Sequence, residues 1–318
     1  MKTVDLDESG RVLDGGHPVP VHRLDDHFAE ALRPPPGTTD IVLYVHGWQT
    51  GPEAAERAAG RLLALVAEQY RRHPDLYPAL APWAPWPVLV RWPSRSGPLR
   101  GGYRRIRDRA HALSGADGHA GRVIGSLLGY LDAGRGDPRS PVLAGRDGQY
   151  LHLVGHSFGC RVLCEAVQWA AQERGTLGWS RPGPTHLPFT VDSMLLLQMA
   201  APRDAFAETF TALAKAPLRG PLVATYTQRD WATGFWHRVA ERRAGIGSQG
   251  IGTAPQPVSA IRMLAPDTPY PPSALDHWFV SVDAGAVFVN GRGPAGAHSD
   301  HLRPESAHLL LSLAGHSR

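Results

Sequence analysis

The residues best suited to chemistry lie in Leu151-His-Leu-Val-Gly-His-Ser-Phe-Gly-Cys160, where a short apolar strand runs into Gly155-His156-Ser157-Phe158-Gly159 and then into an amphipathic helix. A serine at a sharp strand-to-helix bend is held in strained backbone geometry, with its hydroxyl lifted above the sheet. The flanking glycines let neighbouring backbone approach where a Cβ would collide. The bend also stands at a helix N-terminus, whose free N–H groups and dipole favour developing negative charge. Ser157 is therefore the candidate nucleophile. A plain turn with a helix-capping serine shares the same five letters; the strand before it and the helix after it are what distinguish a nucleophile's bend.

A second segment, Asp40-Ile-Val-Leu-Tyr-Val-His46-Gly47-Trp48-Gln49, reads as a buried strand ending in His-Gly. Acyl transfer needs two N–H donors aimed at the oxyanion, one from the residue after the nucleophile and one from an early strand-to-helix loop. The backbone amides of Phe158 and Trp48 are the candidates for this oxyanion hole.

With these two segments in that order, the chain resembles the α/β-hydrolases. Val90-Arg91-Trp92-Pro93-Ser94, followed by Tyr103 and a helix, is similar to poorly characterised bacterial members that carry Trp-Pro-Ser after the strand preceding the elbow. The likeness covers roughly residues 40 to 315, and its motifs are specific for the fold but weak for substrate. It implies the chain order serine, acid, histidine. Val223-Ala-Thr-Tyr-Thr-Gln-Arg-Asp230 ends a β-rich run with an aspartate, which makes Asp230 the first choice of acid; Asp204 is the alternative and Asp283 a weaker one. The histidine belongs in the loop after the last strand, where His298-Ser-Asp-His301 precedes Pro304-Glu305. His298 fits best and His301 competes, while Asp300 is expected to cap the following helix. The His298 and His301 pair lacks the one-turn helical setting of zinc ligands, so no metal is expected.

The resemblance thus implies a serine hydrolase that cleaves a small or medium carboxylic ester through an acyl-enzyme, with no metal or organic cofactor. Lipases, thioesterases, peptidases and acyltransferases use the same parts, and a non-catalytic binding protein on this fold is the reading from another class.

To position such a site the chain must build a sheet. Strands are expected at Ile41 to Val45, Pro87 to Trp92, Tyr150 to Val154, Ser193 to Met199, Leu222 to Thr227 and Trp278 to Val282. Helices are expected around Glu53 to Tyr70, Ala120 to Leu131, Cys160 to Glu173, Ala205 to Ala214 and Pro304 to Leu313. This alternation predicts an α/β fold with a mostly parallel central sheet flanked by helices on both faces. It favours a single domain over 1–318, with a hairpin in 1–20 and a lid or pocket-rim segment in 231–277.

The remaining residues suggest little beyond this frame. The chain of 318 residues is 42% hydrophobic, enough for a sizeable core, and its 35 glycines and 29 prolines fit a folded domain with long loops. The net charge is +4, and the basic clusters at 104–109 and 238–243 read as solvated helix faces rather than a nucleic-acid or anionic-lipid patch. The acidic start, Met1-Lys-Thr-Val-Asp-Leu-Asp-Glu, lacks the apolar stretch of a signal peptide, and no run is long enough to span a bilayer, so a cytoplasmic location is the default. Cys160 and Cys164 share one helix face and read as buried thiols. Among the 16 histidines, His156 is expected to pack and His152 to be a satisfied core residue. Trp83, Trp86 and Trp92 read as core or loop anchors, whereas Trp48, Phe158 and Trp231 are expected to line an apolar pocket. A small ester is the expected partner, and the sequence leaves the oligomeric state open.

Overall fold

In a computed structural model, described for residues 1–97, 100–113, 118–127, 149–172, 191–216, 218–291 and 293–318, the expected apolar runs become the centre of one sheet. Its strands are β1 (Lys2–Leu6), β2 (Val12–Asp14), β3 (His17–Pro18), β4 (Asp40–Val45), β5 (Pro85–Arg91), β6 (Tyr150–His156), β7 (Ser193–Leu197), β8 (Leu222–Tyr226), β9 (Val258–Arg262) and β10 (Phe279–Asp283). They lie in the order β3-β2-β1-β5-β4-β6-β7-β8-β10-β9. All neighbours are parallel except β1 with β2 and β2 with β3. The antiparallel part is the expected N-terminal hairpin, turned by Asp7, whose carboxylate accepts the N–H groups of Ser9 and Arg11 at 2.9 Å each.

The helices are α1 (Leu24–Ala31), α2 (Pro52–Arg72), α3 (Arg100–Ala112), α4 (Ala120–Leu127), α5 (Phe158–Gln172), α6 (Ala205–Glu208), α7 (His237–Glu241), α8 (Ile246–Gln249), α9 (Pro272–Leu275) and α10 (Pro304–His316). The period-2 alternation of a strand divides them between two cores. On β4, Ile41, Leu43 and Val45 face a core shared with α1, α3, α4 and α5. Val42 and Tyr44 face the opposite core, against Ala55, Ala59, Leu62 and Val66 of α2 and Leu309, Leu310 and Leu313 of α10. Helices therefore cover both faces of the sheet.

Some elements differ from expectation. The pattern at Ala205 to Ala214 breaks into α6 and a 3-10 turn at Thr211–Lys215. The 231–277 segment contributes a parallel edge strand, β9, together with a π-helical turn at Ala232–Trp236 and short helices. Residues 128–131 and 173, expected to be helical, lie outside the described residues. No helix among the described residues is long and apolar enough to cross a membrane.

At the starts of the central strands a buried polar network fixes the sheet. The Asp40 carboxylate, fully buried, accepts hydrogen bonds from the Arg318 guanidinium at 2.7 and 2.8 Å and from His152 Nε2 at 2.9 Å. His152 Nδ1 in turn meets Ser193 Oγ at 2.9 Å, so this histidine is the satisfied core residue expected. Cys160 and Cys164 are buried and unbridged, also as expected. The opposite ends of β4, β6, β8 and β10 are left to carry loops that converge.

Two glycines separate close packing from helix propensity. A Cβ on Gly159 would collide with the backbone carbonyls of Val45 and His46, whereas one on Gly60, exposed on α2, would meet nothing within 4 Å. Gly159→Ala is expected to destabilise the fold by about 2 kcal/mol or more. Gly60→Ala should instead be neutral or stabilise by up to about 1 kcal/mol. Urea unfolding midpoints of the two variants check the contrast.

Candidate active site

Ser157 stands between β6 and α5 with φ of 56°, the left-handed region that side chains rarely adopt. Such a backbone persists only where its surroundings over-determine it. Here the Ser157 N–H donates to the Leu197 carbonyl at 3.0 Å, and its own carbonyl accepts from the N–H groups of Cys160 and Ala200 at 3.2 Å each. The bend needs room as well. A Cβ on Gly155 would lie 2.8 Å from the Cys160 backbone, and one on Gly47 would lie 2.7 Å from the Ser157 Cβ. Gly47 and Gly159 are thus contact residues of one another's loops, while Gly155 packs within its own.

Above this bend three side chains form a continuous relay. Ser157 Oγ lies 2.8 Å from His298 Nε2, and His298 Nδ1 lies 2.9 Å from Asp230 Oδ2. Asp230 is fully buried after β8, where its Oδ1 accepts the Thr233 N–H at 3.0 Å and its Oδ2 also accepts from Gln198 Nε2 at 3.2 Å. A carboxylate can only accept, so His298 carries its proton on Nδ1 and turns the Nε2 lone pair towards the serine hydroxyl. The histidine is held by its backbone too. Ala297 N–H donates to the Arg229 carbonyl at 2.9 Å, and Gln198 Nε2 donates to the Ala297 carbonyl at 2.9 Å.

The alternatives left open by the sequence are engaged elsewhere. The Asp204 carboxylate pairs with Arg243 at 2.6 Å, and Asp283 accepts the Gly285 N–H at 2.8 Å. His301 is buried against His156, with ring centroids 3.8 Å apart. Asp300 does not cap α10, whose N-cap position is taken by Arg303 without a side-chain bond. Its oxygens instead accept from the Asn290 N–H and the Arg303 guanidinium, tying the loop to the helix start.

On the other side of Ser157 the Trp48 and Phe158 N–H groups meet no protein acceptor among the described residues, as orphan donors at a loop and a helix start should. The Trp-Pro-Ser segment holds this loop. Ser94 Oγ donates to the Thr50 carbonyl at 2.9 Å and accepts the Thr50 N–H at 3.2 Å, while the Ser94 carbonyl accepts the Gln49 N–H at 3.1 Å. Trp92 stacks on His46 and donates its indole N–H to the His46 carbonyl at 2.9 Å. Burial holds the His46 imidazole neutral, with a pKa pushed down to about 4.

Trp48 and Phe158 pack edge to face with Tyr103, the Tyr103 and Phe158 centroids being 4.9 Å apart. The Tyr103 hydroxyl is buried without a protein partner among the described residues. Trp231, expected in the same wall, is exposed instead and lies against Gly296 on the histidine loop.

Three contributors escaped sequence reasoning. Gln198 ties Asp230 to the His298 loop, and its only trace in sequence is a polar residue interrupting the apolar run from Met194 to Met199. Tyr103 carries no signal in sequence beyond following the Trp-Pro-Ser segment. His156, expected merely to pack, also donates from Nε2 to the His298 carbonyl at 2.9 Å.

The chain matches no protein-family model, no curated protein and no solved structure among those compared. The functional reading therefore rests on the geometry of the relay.

Burial pushes the His156 imidazole well below its usual range, and burial together with the nearby His298 pushes His301 down to about 3. Both are held neutral in the folded state, while an unfolded histidine titrates near 6.5. The unfolded chain thus binds more protons below that pH, so stability present above about 6.5 declines as pH falls towards 3. From His301 alone, the loss between pH 7.5 and pH 5 should be on the order of 2 kcal/mol. Urea unfolding at the two pH values checks this, and His301→Phe should shrink the difference by about that amount.

Proposed function

We propose that this protein is a serine hydrolase of the α/β-hydrolase fold, formed as a single domain, that cleaves a carboxylic ester through an acyl-enzyme. The observation that carries the reading is the unbroken relay from Asp230 Oδ2 through His298 to Ser157 Oγ. Support for the fold comes from chain order, with the serine after β6, the acid after β8 and the histidine in the loop after β10.

In this mechanism His298 Nε2 takes the Ser157 proton as the oxygen attacks the ester carbonyl. Asp230 holds the required tautomer and stabilises the imidazolium that forms. The N–H groups of Trp48 and Phe158 receive the tetrahedral oxyanion. His298 then returns the proton to the departing alkoxide, which leaves as the alcohol. Water, deprotonated by the same imidazole, attacks the acyl-serine and releases the acid, and the proton passes back to Ser157. The aromatic wall of half-buried Trp48 with buried Tyr103 and Phe158 suits an apolar acyl or alcohol group beside the carbonyl.

A fluorophosphonate probe should label the folded protein once, at Ser157, and Ser157→Ala should abolish labelling. On p-nitrophenyl esters, Ser157→Ala and His298→Ala should each lower kcat by about three to six orders of magnitude. Asp230→Asn should lower it by about four orders through the wrong tautomer. Failure of the folded wild-type chain to label, or full turnover by His298→Ala, would overturn the assignment.

A further inference from the structure

Every exposed large aromatic ring among the described residues lies in one short segment beside the candidate site. Trp231 is 56% exposed, Phe235 59% and Trp236 46%, and Val239 in the next turn is 45% exposed. Soluble surfaces scatter such residues singly, and a concentrated group marks an interaction site. This segment follows Asp230 directly and is sewn to the His298 loop. The Trp231 and Ala232 N–H groups donate to the Ala295 carbonyl, and the Trp236 indole N–H donates to the Pro294 carbonyl at 2.7 Å.

The charges left unpaired around this ridge have one sign. In sequence the clusters at 104–109 and 238–243 read as separate solvated faces, but the fold sets them side by side. Tyr103 of α3 packs edge-on to His237 of α7 with centroids 5.8 Å apart, and Arg107 pairs with Glu241 at 3.0 Å. The carboxylates of this region are already engaged, since Glu241 and Asp108 meet Arg107 while Asp204 and Glu208 meet Arg243. Arg104, Arg105, Arg238 and Arg242 are exposed and make no ion pair among the described residues. An aromatic ridge flanked by uncompensated arginines matches an interface with an apolar interior and anionic headgroups. A second copy of the chain fits less well, because a two-fold contact through this face would oppose arginines to arginines.

We propose that the face built from 231–242 and α3 docks the protein on an anionic lipid–water interface, with Trp231, Phe235, Trp236 and Val239 entering the acyl boundary. Arg104, Arg238 and Arg242 meet the headgroup phosphates. Resting on the hydrolase reading above, this assigns Ser157 an acyl ester presented by the lipid surface, beside which the His298 loop is held.

The test separates docking from chemistry by using Ser157→Ala, which binds without turnover. This chain should co-sediment with phosphatidylcholine vesicles containing phosphatidylglycerol, less so with phosphatidylcholine alone and less so at high salt. Adding Phe235→Ser with Val239→Ser, or Arg238→Glu with Arg242→Glu, should weaken binding at least about tenfold while circular dichroism shows the fold retained. No co-sedimentation, or equal binding by folded variants, overturns the proposal. Dimerisation in sedimentation velocity that the Phe235→Ser/Val239→Ser pair abolishes, without vesicle binding, overturns it in favour of a second copy. Failure of probe labelling with vesicle binding intact would remove the hydrolase reading and leave the docking face standing.

Discussion

The carbonyl oxygens of Val45 and His46 occupy the space that a Cβ on residue 159 would need, and the Ser157 Cβ occupies the space that a Cβ on residue 47 would need. The end of β4 and the start of α5 are therefore pressed into backbone contact. That contact forces the left-handed bend at Ser157, because the chain must leave β6 and turn into α5 without moving away from β4. It also brings the loop carrying Trp48 to the side of the serine. The placement of the proposed nucleophile and of the proposed oxyanion donors follows from one close approach, which no larger residue at either glycine permits.

The third and fourth loops reach the serine by a different device. Asp230 and His298 arrive from the ends of β8 and from the loop after β10, which diverge in sequence but are joined by hydrogen bonds through Gln198 and the Arg229 carbonyl. Gln198 itself takes φ of 49° at the end of β7, so a second strained residue sits at the strand next to the elbow. Strain at adjacent strand ends makes sense where side chains must point upward, off the edge of the sheet, rather than alternate across it. The sheet supplies rigidity, and the strained exits convert it into aim.

The central strands were legible because each is a compact apolar run buried on both faces, and the elbow was legible because its glycines lie within five residues of its serine. β9 was not, since Val-Ser-Ala-Ile-Arg is a half-exposed edge strand with no apolar run. The sequence ranks Asp230 above Asp204 without excluding the latter, as both follow strands. What separates them is Arg243, whose pairing with Asp204 depends on a fold that brings residues 39 positions apart together. The same reason hid Gln198 and the joining of two basic clusters. Local pattern specifies elements and tight turns, while partnership between side chains on distant loops is settled only by the packing of those elements.

The stacked imidazoles beneath His298 show how such partnership can be worth more than packing alone. A phenyl ring at position 156 could fill the same space and lie against His301, but it could not donate to the His298 carbonyl as Nε2 does. That bond holds the backbone of the loop, whereas Asp230 holds only the ring, so the two together fix both the height and the rotation of the proposed base. The arrangement demands that both buried imidazoles stay neutral, because a proton on either would be a charge facing His298 with little solvent to screen it. The support under the site is therefore strongest where both buried imidazoles are neutral. Acid that protonated either buried ring would loosen the floor on which the proposed base stands.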